Sequence, residues 1–291
     1  MSRLRISARP SALPLEKVLR RVNEISSIPQ VALKVMEVAA DPHSGAADLK
    51  KVLETDAALS ARVLRCVNSS AYALRGKVTN LQHAITYLGM KQIRNLAMTA
   101  SVSEMFKKDE PIGTYRRSGL WRHLVSVGIC ARLIGMRLGL MEFEDMFLAG
   151  LLHDVGIILE DQHAHEAFCQ AVCALREEST LQEAEFEHLG FDHTSLGGQV
   201  AEAWGFPAAI KAAVRYHHRS IHYQGDEAQM VQCVEAADIL CTLKGISSVG
   251  MKLALGSTPP FAALGLKKDD IVVLAADLDQ EFSAHQDLFQ M

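Results

Sequence analysis

Apolar residues recur at three- and four-residue spacing in nearly every long segment of this chain, and alternating β-branched runs are almost absent. A 3.6-residue period gathers such positions on one face of an α-helix, so the pattern predicts an all-α protein built as a multi-helix bundle. Helices are expected over about residues 15–25, 30–40, 46–55, 57–69, 80–88, 90–106, 116–139, 142–156, 163–178, 180–188, 193–204, 207–218, 227–244 and 269–287. Only 271-IVVLAA-276 has the look of a strand. The stretches 41-DPHSG-45, 110-EPIG-113, 205-GFP-207 and 255-LGSTPP-260 punctuate the helices, since proline fixes φ and glycine accepts a left-handed cap. Residues before Leu13 and the last few are expected to fray.

The segment 107-KKDEPIG-113 is the expected boundary between an N-terminal helical lobe, residues 15–110, and a second helical lobe, residues 111–245, with a C-terminal helical extension over 246–291. Short amphipathic helices fill the first lobe. Longer apolar helices fill the second, and they carry almost all the unusual histidines, so any chemistry is expected there.

Composition narrows the function classes. The 291 residues are 49% apolar and 22% charged, as in an ordinary globular protein, with a net charge of −4. That balance offers no field for general nucleic-acid binding, although a local patch is compatible with it. No window approaches the ~20 apolar residues of a membrane span, and the N-terminus lacks the apolar core of a signal peptide. A cytoplasmic protein without membrane association is therefore expected. The six cysteines, Cys66, Cys130, Cys169, Cys173, Cys233 and Cys241, form no CxxC pair and read as reduced core residues. Cys169 and Cys173 can share a helix face, for which two small apolar residues is a simpler reading than a metal pair.

The sharpest feature is 150-GLLHDVG-156, in which His153 and Asp154 close an apolar helical run that Gly156 can terminate. An ionised aspartate there costs several kcal/mol unless a metal, a cationic side chain or a donor network compensates it. Other helices offer partners. His123 shares the inward stripe of its helix with Val127, Cys130 and Ile134. His193 aligns with Leu196, Gly197 and Val200, and the glycines beside it allow a second helix to come close. Ile210 and Val214 place His217 on a buried stripe with His218 on its flank, and Asp238 sits among Val231, Val234 and Cys241.

Taken singly, each histidine could simply donate to a backbone carbonyl. Together, imidazoles and carboxylates delivered by separate helices into one dry interior suit one or two divalent transition-metal ions: iron, manganese or zinc. Asp154 is the candidate catalytic residue: as a bridge between two ions it would hold the water that attacks a phosphoryl group. His163, His165, His188 and His222 are expected to be solvated, and His43, His83 and His285 receive no role.

The order His123, His153-Asp154, His193, His217-His218, Asp238 resembles the HD superfamily of metal-dependent phosphohydrolases, with separations similar to the HD-GYP subgroup that hydrolyses cyclic di-GMP. Over residues 15–245 the chain more closely resembles the HDOD relatives, through 27-SIPQVALKVMEVAADP-42, 55-TDAALSARVLRCVNSSAY-72 and 88-LGMKQIRNLAM-98. That resemblance implies a helical HD-like core and a signalling or regulatory module without established activity. Against catalysis, Ile157 stands where catalytic relatives carry lysine after HDxG, and RSIHYQGD after His217-His218 lacks the glutamate and the GYP motif. Three readings follow: a regulatory protein that retains its metal site and meets a protein partner or small ligand at the N-terminal lobe; a metal-dependent phosphohydrolase or phosphodiesterase; and a metal-free interaction adaptor.

Overall fold

The computed structural model describes residues 14–25, 28–69, 72, 76–254 and 256–289. The termini expected to fray fall largely outside them. The N-terminal helices are α1 (Leu15–Ile25), α2 (Gln30–Ala40), α3 (Ala46–Leu53), α4 (Ala57–Val67), α5 (Leu81–Leu88) and α6 (Met90–Val102). There follow α7 (Arg117–Arg137), α8 (Phe143–Leu152), α9 (Val155–His163), α10 (His165–Cys173), α11 (Leu181–Leu189), α12 (His193–Ala203), α13 (Ala208–Tyr216) and α14 (Ala228–Leu243). The chain closes with α15 (Pro259–Ala263), α16 (Lys268–Ala284) and α17 (Gln286–Phe289). Among the described residues there is no strand, only one isolated bridge between Ile112 and Tyr115. The 271–276 run lies inside α16, where the acidic first turn of Asp269 and Asp270 suits a helix N-terminus.

Local chemistry sets the ends of these helices. Asp56, Asn80 and Asp192 accept hydrogen bonds from the backbone N–H three residues on, capping α4, α5 and α12. Thr180 and Glu183 cap α11 reciprocally, and Gly190 ends it in the left-handed region at φ 85°. Sequence reading erred at 142–156. The helix stops at Leu152, and Gly156, expected to end it, lies instead in the first turn of α9. The break turns the chain at His153-Asp154 and lets α9 run back against α12.

One hydrophobic core runs from Val18 in α1 to Leu278 in α16. Its densest seam is the crossing of α7 on α8, which Gly128 and Gly150 make possible. A methyl group on Gly150 would lie 2.8 Å from the Cα of Gly128, so only glycine lets the two backbones approach this far. The N-terminal helices attach through α6 against α8. There Arg94, almost fully buried, binds Asp145 at 2.6 Å, and Asn95 donates to the Glu144 carbonyl at 2.8 Å. Four cysteines are buried as expected, whereas Cys169 is half-buried and Cys173 exposed.

Candidate metal centre

Seven side chains from five neighbourhoods converge beneath the α7–α8 seam. His123 comes from mid-α7, His153 and Asp154 from the break between α8 and α9, His193 from the first turn of α12, His217 and His218 from the end of α13, and Asp238 from mid-α14. All but His218 are completely buried; the His218 side chain is 14% exposed. Every residue singled out in the sequence as a candidate ligand is thus brought to one place. Two groups form, each close enough to hold one ion: Asp154 with His193, His217 and His218, and His123 with His153 and Asp238.

Asp154 faces both groups. Its Oδ1 lies 3.1 Å from His217 Nε2 and 3.3 Å from His193 Nε2. Its Oδ2 lies 3.3 Å from His153 Nε2 and 3.8 Å from His123 Nε2. Asp238 Oδ1 is 3.1 Å from His123 Nε2, and His193 Nε2 is 3.0 Å from His218 Nε2.

The outer faces of the imidazoles decide what the inner faces can do. His123 Nδ1 meets the Ile246 carbonyl at 2.7 Å, His153 Nδ1 the Gly150 carbonyl at 2.7 Å, and His217 Nδ1 the carbonyls of Ala213 and Val214 at 3.1 Å. A carbonyl only accepts, so each Nδ1 carries the proton, and in the neutral ring Nε2 is left as a bare lone pair. Those lone pairs point at carboxylate oxygens, which also only accept. Consistent with this, Nε2 of His123, His153 and His217, both oxygens of Asp154 and Oδ2 of Asp238 are buried with no hydrogen-bond partner. In the neutral form these atoms are acceptors turned to one another, the arrangement a cation requires, so these residues could hold a metal ion.

Without an ion, protons must fill that role. Burial opposes a charge on His193, yet the Glu185 and Asp154 carboxylates raise its pKa to about 10. Burial likewise opposes the Asp154 charge, but the His153 and His193 imidazoles hold its pKa well below the usual carboxylate range. Burial and the imidazoles of His217 and His193 push His218 well below the usual histidine range.

Sequence reading missed two acids behind the cluster. Glu185, fully buried, accepts from both the backbone N–H of His193 at 3.0 Å and its Nδ1 at 2.6 Å. Glu160 is also fully buried, and burial and the neighbouring Glu185 carboxylate push its pKa well above the usual carboxylate range. The available signal was the position of Glu185 on the apolar stripe of Leu181, Ala184 and Leu189. His163 corrects another expectation: it is buried rather than solvated. His222 is exposed, and the half-exposed His165 binds the Asp161 carboxylate at 2.9 Å. Ile157 is fully buried in the core beside the cluster.

Residues 25–220 match the HDOD domain family. An uncharacterized protein of Treponema pallidum (strain Nichols) is 19% identical over 222 residues, or 75% of this chain; the chain spans only 42% of that relative's length. An HDOD domain protein of unknown function from Geobacter sulfurreducens superposes with a TM-score of 0.77 at 27% identity, covering 96% of this chain and 100% of that one. A protein from Marinobacter aquaeolei VT8, provisionally assigned to signal transduction, gives a TM-score of 0.77 at 22% identity, covering 99% and 64%. One from Shewanella amazonensis SB2B, provisionally assigned as a phosphohydrolase, gives 0.69 at 22% identity, covering 94% and 97%. The latter two likenesses establish the fold alone.

Proposed function

The chain belongs to the HDOD family, and from that membership and its buried cluster we propose a regulatory module that holds one or two divalent transition-metal ions and has little or no hydrolytic activity. The observation that carries the metal half of this reading is the two-sided Asp154 carboxylate, one oxygen turned to each histidine group and both oxygens buried without a hydrogen-bond partner. His193, His217 and His218 with Asp154 Oδ1 would hold one ion; His123, His153 and Asp238 with Asp154 Oδ2 would hold the other. Such ions offset the buried carboxylates and supply Lewis-acid charge that can polarise a phosphoryl oxygen.

The regulatory half rests on what this chain places around the cluster. A phosphoester needs cationic side chains to hold the charge that develops on its oxygens, and one such contact in a water-excluded site is worth a rate factor on the order of 10²–10³. Ile157, two residues past the cluster's Asp-Val step, is apolar and fully buried, and so supplies no such cation. Six of the seven candidate ligands are sealed from solvent, which suits a module whose bound ion sets the geometry of the surrounding helices. Its readout surface would be the N-terminal lobe, tied to α8 through Arg94 and Asp145, where a protein partner or small ligand would dock.

A phosphohydrolase is the second reading, favoured by the same two-sided carboxylate, which could serve both ions of a two-metal displacement. Elemental analysis of protein purified without chelator, followed by assay of cyclic di-GMP and an activated phosphodiester with added manganese, separates the two. Bound metal with negligible turnover supports the regulatory module. Rapid, selective hydrolysis of a nucleotide would replace it with the enzyme, and protein free of metal after careful purification would favour the adaptor.

A further inference from the structure

The seven-residue cluster meets solvent at His218, and His218 also lines a small cavity of about 270 Å³. This cavity lies between the start of α11, the end of α13, the middle of α14 and residues Leu253, Ala254 and Ser257, with Thr180, Glu183, Glu235 and Ile239 on its walls. Two of the described lining residues are acidic, and none is lysine or arginine. Their placement differs in kind. Glu183 is exposed at the rim, where its carboxylate accepts the backbone N–H of Thr180 at 2.9 Å. Glu235 is nine-tenths buried at the inner end, on the same helix as Asp238 and one turn before it, and accepts the Ser220 N–H at 2.9 Å.

We propose that this cavity is the exchange route of the metal centre: a divalent cation is captured at Glu183, passed inward past Glu235 and delivered to His218 and the Asp154 oxygens behind it. The inference rests on the reading that the cluster holds metal, and it adds how that metal enters and leaves. Acidic walls without a compensating cation raise the local concentration of divalent ions and lower that of anions. A cavity of about 270 Å³ accommodates an ion with part of its hydration shell, and it falls just below the ~300–1,000 Å³ of typical ligand pockets. The same walls that admit the cation disfavour a phosphate ester, so occupancy of the ion, rather than turnover of a nucleotide, is what this opening can report. His218 suits the innermost step: it is the cluster member in contact with the cavity, and its Nε2 lies 3.0 Å from that of His193.

The test follows the rate of cobalt(II) uptake by chelator-stripped full-length protein, read by the visible absorption of the bound ion, in stopped flow at low and high ionic strength. Glu183→Gln keeps the capping interaction, since glutamine can replace glutamate there, and Glu235→Gln keeps an acceptor for Ser220. Each is expected to slow uptake about 3–10-fold at low salt, with unchanged final stoichiometry, unchanged thermal midpoint and a difference that shrinks as salt rises. Ser257→Trp, which narrows the cavity without changing its charge, should slow both uptake and withdrawal by a chelator at every ionic strength. Uptake at the wild-type rate in all three variants would overturn the exchange route while leaving the metal centre intact. Failure of the stripped wild-type protein to take up any cobalt would overturn the metal centre itself, and the route with it.

Discussion

Replacing Gly156 with alanine tests whether the cluster depends on the close approach of α9 and α12. A Cβ built on Gly156 would lie 2.7 Å from the carbonyl carbon of His193 and 2.9 Å from its Cα, with the carbonyl oxygen nearer still. Carbon atoms in optimal contact sit ~3.5–4.0 Å apart, so the two backbones must separate by about 1 Å. Neither has room to yield: Gly197, one turn into α12, would already meet Val214 at 2.9 Å and the Gly156 nitrogen at 3.4 Å if it carried a methyl group. Overpacking of this kind costs ~1–3 kcal/mol, and the better helix propensity of alanine returns ~1 kcal/mol or less. The net loss, up to about 2 kcal/mol, should lower the thermal midpoint by up to about 4–8 °C, at ~2–4 °C per kcal/mol for a chain of this size class. Because the displaced backbone belongs to His193, its 3.3 Å approach to Asp154 opens, and metal content should fall with stability. Gly76→Ala, with nothing within 4 Å of its Cβ, is the control and should do neither. Thermal melts with elemental analysis of both variants decide it: a Gly156→Ala protein that melts with the wild type and holds its full metal content would refute the close-packing account.

Other variants probe the cluster more directly. Asp154→Asn should abolish metal binding by elemental analysis. In chelator-stripped protein it should also lower the thermal midpoint, because a neutral amide replaces the carboxylate charge that the His153 and His193 imidazoles favour. Glu185→Gln should weaken metal affinity ~10–100-fold in a competition titration, the usual consequence of losing the carboxylate that orients a ligand histidine. A pH titration reads the joint between α6 and α8. Burial opposes the Asp145 charge, but Arg94 and Lys91 hold its pKa below the usual carboxylate range. Its contribution is therefore complete above the unfolded value and is lost as pH falls through the folded one, so wild type should lose more stability than Asp145→Asn below about pH 4.

The sequence alone determined the class of fold, because a 3.6-residue apolar period is a local property that neighbours along the chain fully specify. It also yielded the seven cluster residues, since several are polar groups placed on an apolar stripe, and such a placement is visible within its own helix: Asp238 among Val231, Val234 and Cys241, His123 among Val127, Cys130 and Ile134. The simple alternative weighed for each histidine, donation to a backbone carbonyl, proved true of Nδ1 in His123, His153 and His217, and that bond leaves Nε2 a bare acceptor turned to the centre. What only the tertiary structure decided are relations between segments far apart in the chain. The two faces of Asp154 divide imidazoles that come from four separate helical segments. Gly156, a plausible helix stop by composition, proved to be a contact point because α12 crosses it 37 residues later at His193. Glu185 lies on an apolar stripe of its own helix, yet its bond to His193 Nδ1, and the burial of Glu160 beside it, exist only once α9 and α11 are placed around His193. Period and propensity act over one or two turns of helix, whereas the compensation of a buried charge depends on what the folded chain brings within a few ångströms of it.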